Sequence, residues 1–155
     1  MSVTSKLLAL LRRRIADVRP PDFVIGGHDD PYLRRWWVIP RNRWFNVYLH
    51  EFLHSDDDRA LHDHPWWNAS WLLDGTYLEH VEGRASPAVR RAGCWYFRPA
   101  KRAHRVELIG RRPVWTLFFT GPVVREWGFL CPAGWRHWRE FTSARDKGAI
   151  GRGCE

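Results

Sequence analysis

Leu61-His62-Asp63-His64-Pro65-Trp66 lies near the middle of a chain of 155 residues, and its reading decides the fold. On an extended backbone, residues i and i+2 point to the same face. His62 and His64 then project together, placed to chelate one ion, while Asp63 points away. Forty residues later, Arg98-Pro99-Ala100-Lys101-Arg102-Ala103-His104 brings a third histidine to the start of another apolar, strand-forming run. If that strand lies beside the first, three neutral imidazoles on a rigid sheet make a competent site for a divalent first-row metal. Two histidines on a polar strand face explain a lone His-x-His equally well, so the wider spacing has to carry the reading.

Around this stretch the chain is short-period. Segments rich in Trp, Val, Phe and Tyr at 36–39, 44–53, 66–73, 77–81, 94–98, 104–108, 114–120 and 125–129 are separated by turn signals. These include Asp74-Gly75, Glu82-Gly83, Ala92-Gly93 and Gly121-Pro122. Many short strands with frequent turns predict an all-β sandwich or barrel. The N-terminal segment differs. Leu7, Leu8, Leu11, Ile15 and Val18 fall on one helical face, and Pro20-Pro21 ends the helix. Docking on the body of the domain, or on a second subunit, is the expected use of that face.

The spacing resembles the paired motifs of the cupin superfamily, of RmlC-like type. In the first motif a Gly is followed by five residues, His-x-His, three or four residues, Glu, six residues and Gly. Here Asp56 takes the first Gly position, His62 and His64 the histidines, Asn68 the Glu position and Gly75 the last. In the second motif Gly93, Pro99 and His104 fall in register, with Lys101 and Leu108 replacing the family's Gly and Asn. The resemblance covers about residues 56–108. It implies a double-stranded β-helix, or jelly-roll barrel, with a short N-terminal amphipathic helix. The expected organisation is a helical segment at 1–21, a cupin barrel at 22–142 and a flexible tail at 143–155.

The resemblance also implies chemistry. The family often takes a fourth ligand from the Glu that is Asn68 here, so the expected metal ligands are His62, His64 and His104 alone. Three neutral ligands keep the full charge of the ion and leave positions open. The implied activity is non-haem iron dioxygenase chemistry on a small anionic, partly apolar substrate. The alternatives are a metal-assisted isomerase, lyase or hydrolase, and a non-enzymatic metal- or ligand-binding cupin. The expected cofactor is one divalent ion, Fe2+ first, with Zn2+, Ni2+ or Mn2+ as alternatives.

Strand alternation then nominates neighbours. Asn68, Ser70 and Leu72 share the face of His64. Tyr77 and Glu79 form another i, i+2 pair and are the candidate catalytic residues, Tyr77 to orient substrate or donate a proton and Glu79 as base. Asn68, Arg98 and Trp95 are the candidate substrate-binding residues. Arg59 and Lys101 are further candidates to clamp an anion.

His50-Glu51-Phe52-Leu53-His54 matches the His-Glu-x-x-His zinc motif. The motif needs a helix, whereas residues 44–53 read as a strand, so this segment is expected to enter the barrel with His50 facing the interior.

Composition bounds the rest. Apolar residues make up 45% and charged residues 27%, which excludes a disordered chain, and no apolar run is long enough for a helical membrane span. The formal charge is +8, of which residues 1–19 carry +4 and residues 61–138 carry +5, offset by an acidic stretch at 20–60. No nucleic-acid-binding motif accompanies the charge, so neither nucleic acid nor membrane is an expected partner. A small-molecule substrate and a homodimer are. Cys94, Cys131 and Cys154 have no regular spacing, which predicts reduced thiols and a cytoplasmic protein.

Overall fold

The computed structural model describes residues 2–26, 31–56, 60–145 and 151–155. The strands are β1 (Phe23–Ile25), β2 (Leu33–Trp37), β3 (Asn46–Phe52), β4 (Leu61–His62), β5 (Asn68–Asp74) and β6 (Thr76–Val81). They continue with β7 (Ala88–Arg91), β8 (Trp95–Arg98), β9 (His104–Leu108), β10 (Val114–Thr120), β11 (Gly128–Cys131) and β12 (Gly134–His137). All pair antiparallel, in two six-stranded sheets of order β1-β2-β3-β10-β5-β8 and β12-β11-β4-β9-β6-β7. The expected all-β fold is therefore observed. His50 and Glu51 lie on β3, so the zinc-peptidase motif is carried by a strand, with Glu51 paired to Arg34 at 3.3 Å.

Helix α1 (Val3–Leu11) opens at Ser2, whose hydroxyl accepts the Ser5 N–H. It packs on the outer face of the first sheet. Leu7, Leu8, Leu11 and Ile15 meet Trp36, Leu49, Leu73, Trp115 and Leu117 in the largest apolar cluster of the molecule. These sheet residues alternate with inward-facing ones, so the strands of this sheet are covered on both faces, as β10 shows, where every residue of Val114–Thr120 except the half-buried Phe119 is buried. Val18 was expected on the docked face but is exposed. A π-helical turn at Arg12–Ala16 rotates the chain out of the helical period before Val18 is reached.

The β11–β12 hairpin and helix α2 (Trp138–Phe141) extend the second sheet. Asp63 fixes the hairpin: its carboxylate accepts from Gly128 N (2.8 Å) and Trp135 Nε1 (3.1 Å) and pairs with Arg125 (2.6 Å). The residue between the two histidines thus points away from them and ties down the neighbouring strand.

The C-terminal residues correct the sequence reading. Cys131 at the end of β11 is disulfide-bonded to Cys154, with Cα atoms 5.4 Å apart, and only Cys94 is a free thiol. Gly151 N and Gly153 N both donate to Phe141 O, and Arg136 donates to Gly153 O. Residues 151–155 are therefore held against α2 rather than frayed. A bridge across 23 positions leaves no local spacing signature, which is why the linear pattern concealed it.

Closing a loop of this size restricts the unfolded chain and is worth roughly 3 kcal/mol. Reduction, or Cys131→Ser with Cys154→Ser, is expected to lower the melting temperature by several degrees in calorimetry. Equal melting temperatures with and without reductant would contradict the staple.

Candidate metal centre

His104 opens β9 and pairs directly with His62 on β4, so their imidazoles leave the second sheet side by side. His64 stands two residues beyond His62, past the end of β4, where its N–H donates to Ala100 O at 3.1 Å. The three rings face one another, with centroids 5.0–5.2 Å apart. One ligand nitrogen from each lies within 4.8 Å of the others, and His64 Nε2 is 2.9 Å from His104 Nε2. That is about the separation of two adjacent ligands on one ion at roughly 2.0–2.1 Å. The donor set fits a divalent metal.

Behind His104 lies a buried charged network. Glu79 on β6 has no exposed surface. Its Oε1 is 3.0 Å from His104 Nδ1 and accepts from Arg98 Nε, while its Oε2 accepts from Arg90 Nε at 2.6 Å. Arg98, on β8 of the opposite sheet, also donates to Asn68 Oδ1 (3.3 Å), Ser70 Oγ (3.1 Å) and Tyr77 OH (3.3 Å). A carboxylate on Nδ1 leaves Nε2 of His104 free to ligate and fixes the ring, the usual arrangement behind a metal-bound histidine.

The electrostatics follow. Burial alone would raise the Glu79 pKa, but contact with His104 and the Arg98 charge reverse this and hold the carboxyl well below the usual range. Burial lowers the His104 pKa to about 4, with the Arg98 charge adding to it. Burial, then the neighbouring imidazoles and Arg98, push His64 well below its ordinary value. Both stay neutral, as ligation requires. Burial raises the Tyr77 pKa.

The structure brings together most of the residues nominated from sequence, in altered roles. Tyr77 and Glu79 face inward, but both oxygens of Glu79 are engaged and its pKa is depressed. That suits an orienting carboxylate rather than the expected general base. Asn68 and Arg98 also face inward and belong to the same network. Trp95 does not join them. It is 54% exposed on the outer face of the first sheet, stacked on Trp71 at 4.9 Å. Three positions separate Trp95 from the inward Arg98, so the pleat puts them on opposite faces, and its expected substrate-binding role is not compatible with this placement. Lys101 is exposed, and Arg59 lies outside the described residues.

Two inward residues complete the site. His50 faces the interior, as expected, with its ring 4.8 Å from that of Phe118, which in turn lies 6.3 Å from His64. Arg35 was missed. It sits one residue before the run taken as the first strand, and β2 in fact spans Leu33–Trp37. The signal available was alternation, since Arg35 lies between Leu33 and Trp37 at i, i+2 spacing.

The site carries two expectations. Glu79→Gln keeps the side chain's shape but weakens its hold on His104, and should reduce zinc affinity about 10- to 100-fold in a competition titration. Unchanged affinity would mean that Glu79 does not support the ligand. The second concerns acid. In the metal-free protein the unfolded chain binds protons that folded His104 and His64 refuse. Stability therefore rises with pH between about 4 and 6.5, by about 1.4 kcal/mol per unit for each group while it titrates. Glu79 is shifted in the same direction, so its contribution is present above about 4.5 and is lost as the pH falls below that. The two histidines predict a melting temperature that falls as pH drops from 7 to 5, and Glu79 adds a further fall below about 4.5. A flat profile would be inconsistent with buried neutral imidazoles.

No protein-family model matches the chain, and a search of curated proteins finds no match. Solved structures do match. A candidate mannose-6-phosphate isomerase from Ralstonia eutropha superposes with a TM-score of 0.54 at 20% identity, covering 65% of this chain and 92% of that one. A DMSP lyase from Ruegeria pomeroyi gives 0.52 at 17%, over 65% of this chain and 52% of the lyase. The cupin domain of Cnp3 from Schizosaccharomyces pombe gives 0.51 at 11%, over 63% and 69%. With the strand order, these likenesses establish that the chain has the cupin fold, a double-stranded β-helix.

Proposed function

We propose that this cupin is a metal-dependent enzyme acting on a small anionic substrate, with non-haem iron dioxygenase chemistry as the first reading. One observation carries it. Three imidazoles converge at metal-ligand distances, and the nearest carboxylate, Glu79, is spent behind His104 instead of joining them. A bound divalent ion keeps its full charge at such a site and supplies open positions for substrate and dioxygen.

The chain's own residues would do the rest. Glu79 holds the His104 ring and its tautomer. Arg98 locks Glu79 and spans the two sheets through Asn68, Ser70 and Tyr77. Trp66, stacked 4.8 Å from His64, and Phe118 give the site an apolar wall that limits water. Asn68 Nδ2 is buried without a partner and can donate to a substrate oxygen.

A second reading, a Lewis-acid isomerase or lyase, rests on the same three neutral ligands, because an undiminished metal charge polarises a carbonyl equally well. Two of the structural neighbours carry isomerase and lyase names.

Elemental analysis of protein purified with and without oxygen, combined with an oxygen electrode, separates these readings. Iron near one per chain, with substrate-dependent oxygen uptake, supports the dioxygenase. Tightly held zinc and oxygen-independent turnover support the second reading. His62→Ala with His104→Ala should lose the metal and all turnover. Retained metal in that variant would sink both.

A further inference from the structure

Arg35 is a half-buried cation with no carboxylate partner among the described residues. It enters the interior from β2, opposite His50 of β3, and its Nε donates to His50 Nε2 at 2.8 Å. Its guanidinium carbon lies 4.9 Å from the centroid of Tyr48 and 5.9 Å from that of Phe23. Arg98 and Arg90, by contrast, are both paired with Glu79. Burial lowers its pKa to about 10, so it remains charged at neutral pH. A charge partly withdrawn from water on an inward strand face is favoured by an anion beside it.

Two further groups point the same way. His50 is 2% exposed, and burial followed by the Arg35 charge keeps it neutral. Because its Nε2 accepts from Arg35, its proton is on Nδ1, and that N–H has no partner. Thr116 pairs with His50 on the adjacent strand, and its buried hydroxyl is also unpartnered. A cation, an N–H and an O–H thus share one patch of the inner face of the first sheet. All three are donors, so an acceptor is what the patch lacks. Phe118 lies 4.8 Å from the His50 ring and 6.3 Å from that of His64, so the patch and the three histidines face a common interior.

We infer that Arg35, His50 and Thr116 form an anion-binding subsite, and that the substrate is a small carboxylic acid whose carboxylate lies on this patch while its other end faces the three histidines. This deepens the metal-enzyme reading and rests on it for the second half only. A carboxylate fits because one guanidinium balances one charge and its planar fork matches two carboxylate oxygens. A phosphate dianion would bring a second charge that the patch does not balance. His50 orients the fork by holding Arg35 Nε and offers its Nδ1–H to the same anion.

The test is calorimetric titration of zinc-loaded protein with propionate and with lactate, and separately with inorganic phosphate. Wild type should bind a carboxylate in preference to phosphate. Arg35→Gln should weaken carboxylate binding at least tenfold with zinc stoichiometry unchanged, and His50→Gln should weaken it less. If R35Q does not fold by circular dichroism, R35K is read instead, since it keeps the charge and removes the fork. Equal carboxylate affinity in wild type and the Arg35 variant, a preference for phosphate, or no carboxylate binding by wild type would each overturn the subsite. Repeating the titration on metal-free protein separates the two proposals. Failure to load zinc defeats the metal reading, while an Arg35-dependent carboxylate signal in that protein still supports the subsite.

Discussion

The interaction on which the site depends is the burial of one carboxylate, Glu79, between two guanidinium groups and an imidazole. Glu79 and His104 belong to the second sheet, and Arg98 reaches them from the first. The network therefore sets the distance between the sheets as well as the orientation of His104. Removing the carboxylate would leave Arg98 buried without its counter-charge, a loss of the order of 3–5 kcal/mol for a broken buried pair. Apolar residues of similar volume could hold the sheets together as well. They could not hold Nε2 of one histidine toward two others, so the network is better explained by positioning than by stability.

That explanation fits the way apolar burial is divided. The largest apolar cluster is not between the sheets but outside the first one, where α1 covers Trp36, Leu49, Leu73, Trp115 and Leu117. The cluster between the sheets is smaller, built on Leu72, Tyr77, Val106 and Val114 at one end. Much of the remaining interior is polar: His50, Asn68, Ser70, Glu79, Arg98, His104, Thr116 and Thr120 are all buried. A barrel whose inside is given over to polar groups needs apolar burial elsewhere, and the N-terminal helix provides it. The basic residues of that helix follow from the same docking. With the leucines facing the sheet, Arg12, Arg13 and Arg14 fall on or near the solvent side, and Arg12 lies 5.4 Å over the Trp115 ring. The +4 of the first segment therefore needs no polyanionic partner to account for it.

The all-β class and most strands were legible because period-2 alternation and turn residues are local signals. The runs at 104–108 and 114–120 coincide with β9 and β10. The convergence of His62, His64 and His104 was legible from motif spacing, although His64 lies past the end of its strand. What was not legible is what depends on non-local pairing. β4, at two residues, is too short to show a period, and β7 carries no strong apolar pattern. The role of Glu79 is set by groups 11, 19 and 25 positions away, and no local rule distinguishes a base from an orienting carboxylate. Arg35 was hidden for a different reason. A charged residue among Trp and Leu reads as a solvent-facing position unless the strand's register is known.

The disulfide changes how the chain's surroundings should be argued. The cytoplasmic expectation rested on reduced thiols, and Cys131–Cys154 removes that support, because such bonds persist mainly in oxidising compartments. The bond is not remote from the site. Cys131 ends β11, Phe129 on the same strand lies 5.9 Å from His62, and Phe141 stacks on Phe129 at 3.7 Å. The C-terminal residues tied down by Cys154 bond to Phe141 O in turn. Opening the disulfide would therefore loosen the strand that buttresses one metal ligand, while the Glu79 network would still hold His104. Of the two histidines that pair across β4 and β9, His62 is the one paired with the disulfide-bearing strand, through Phe129.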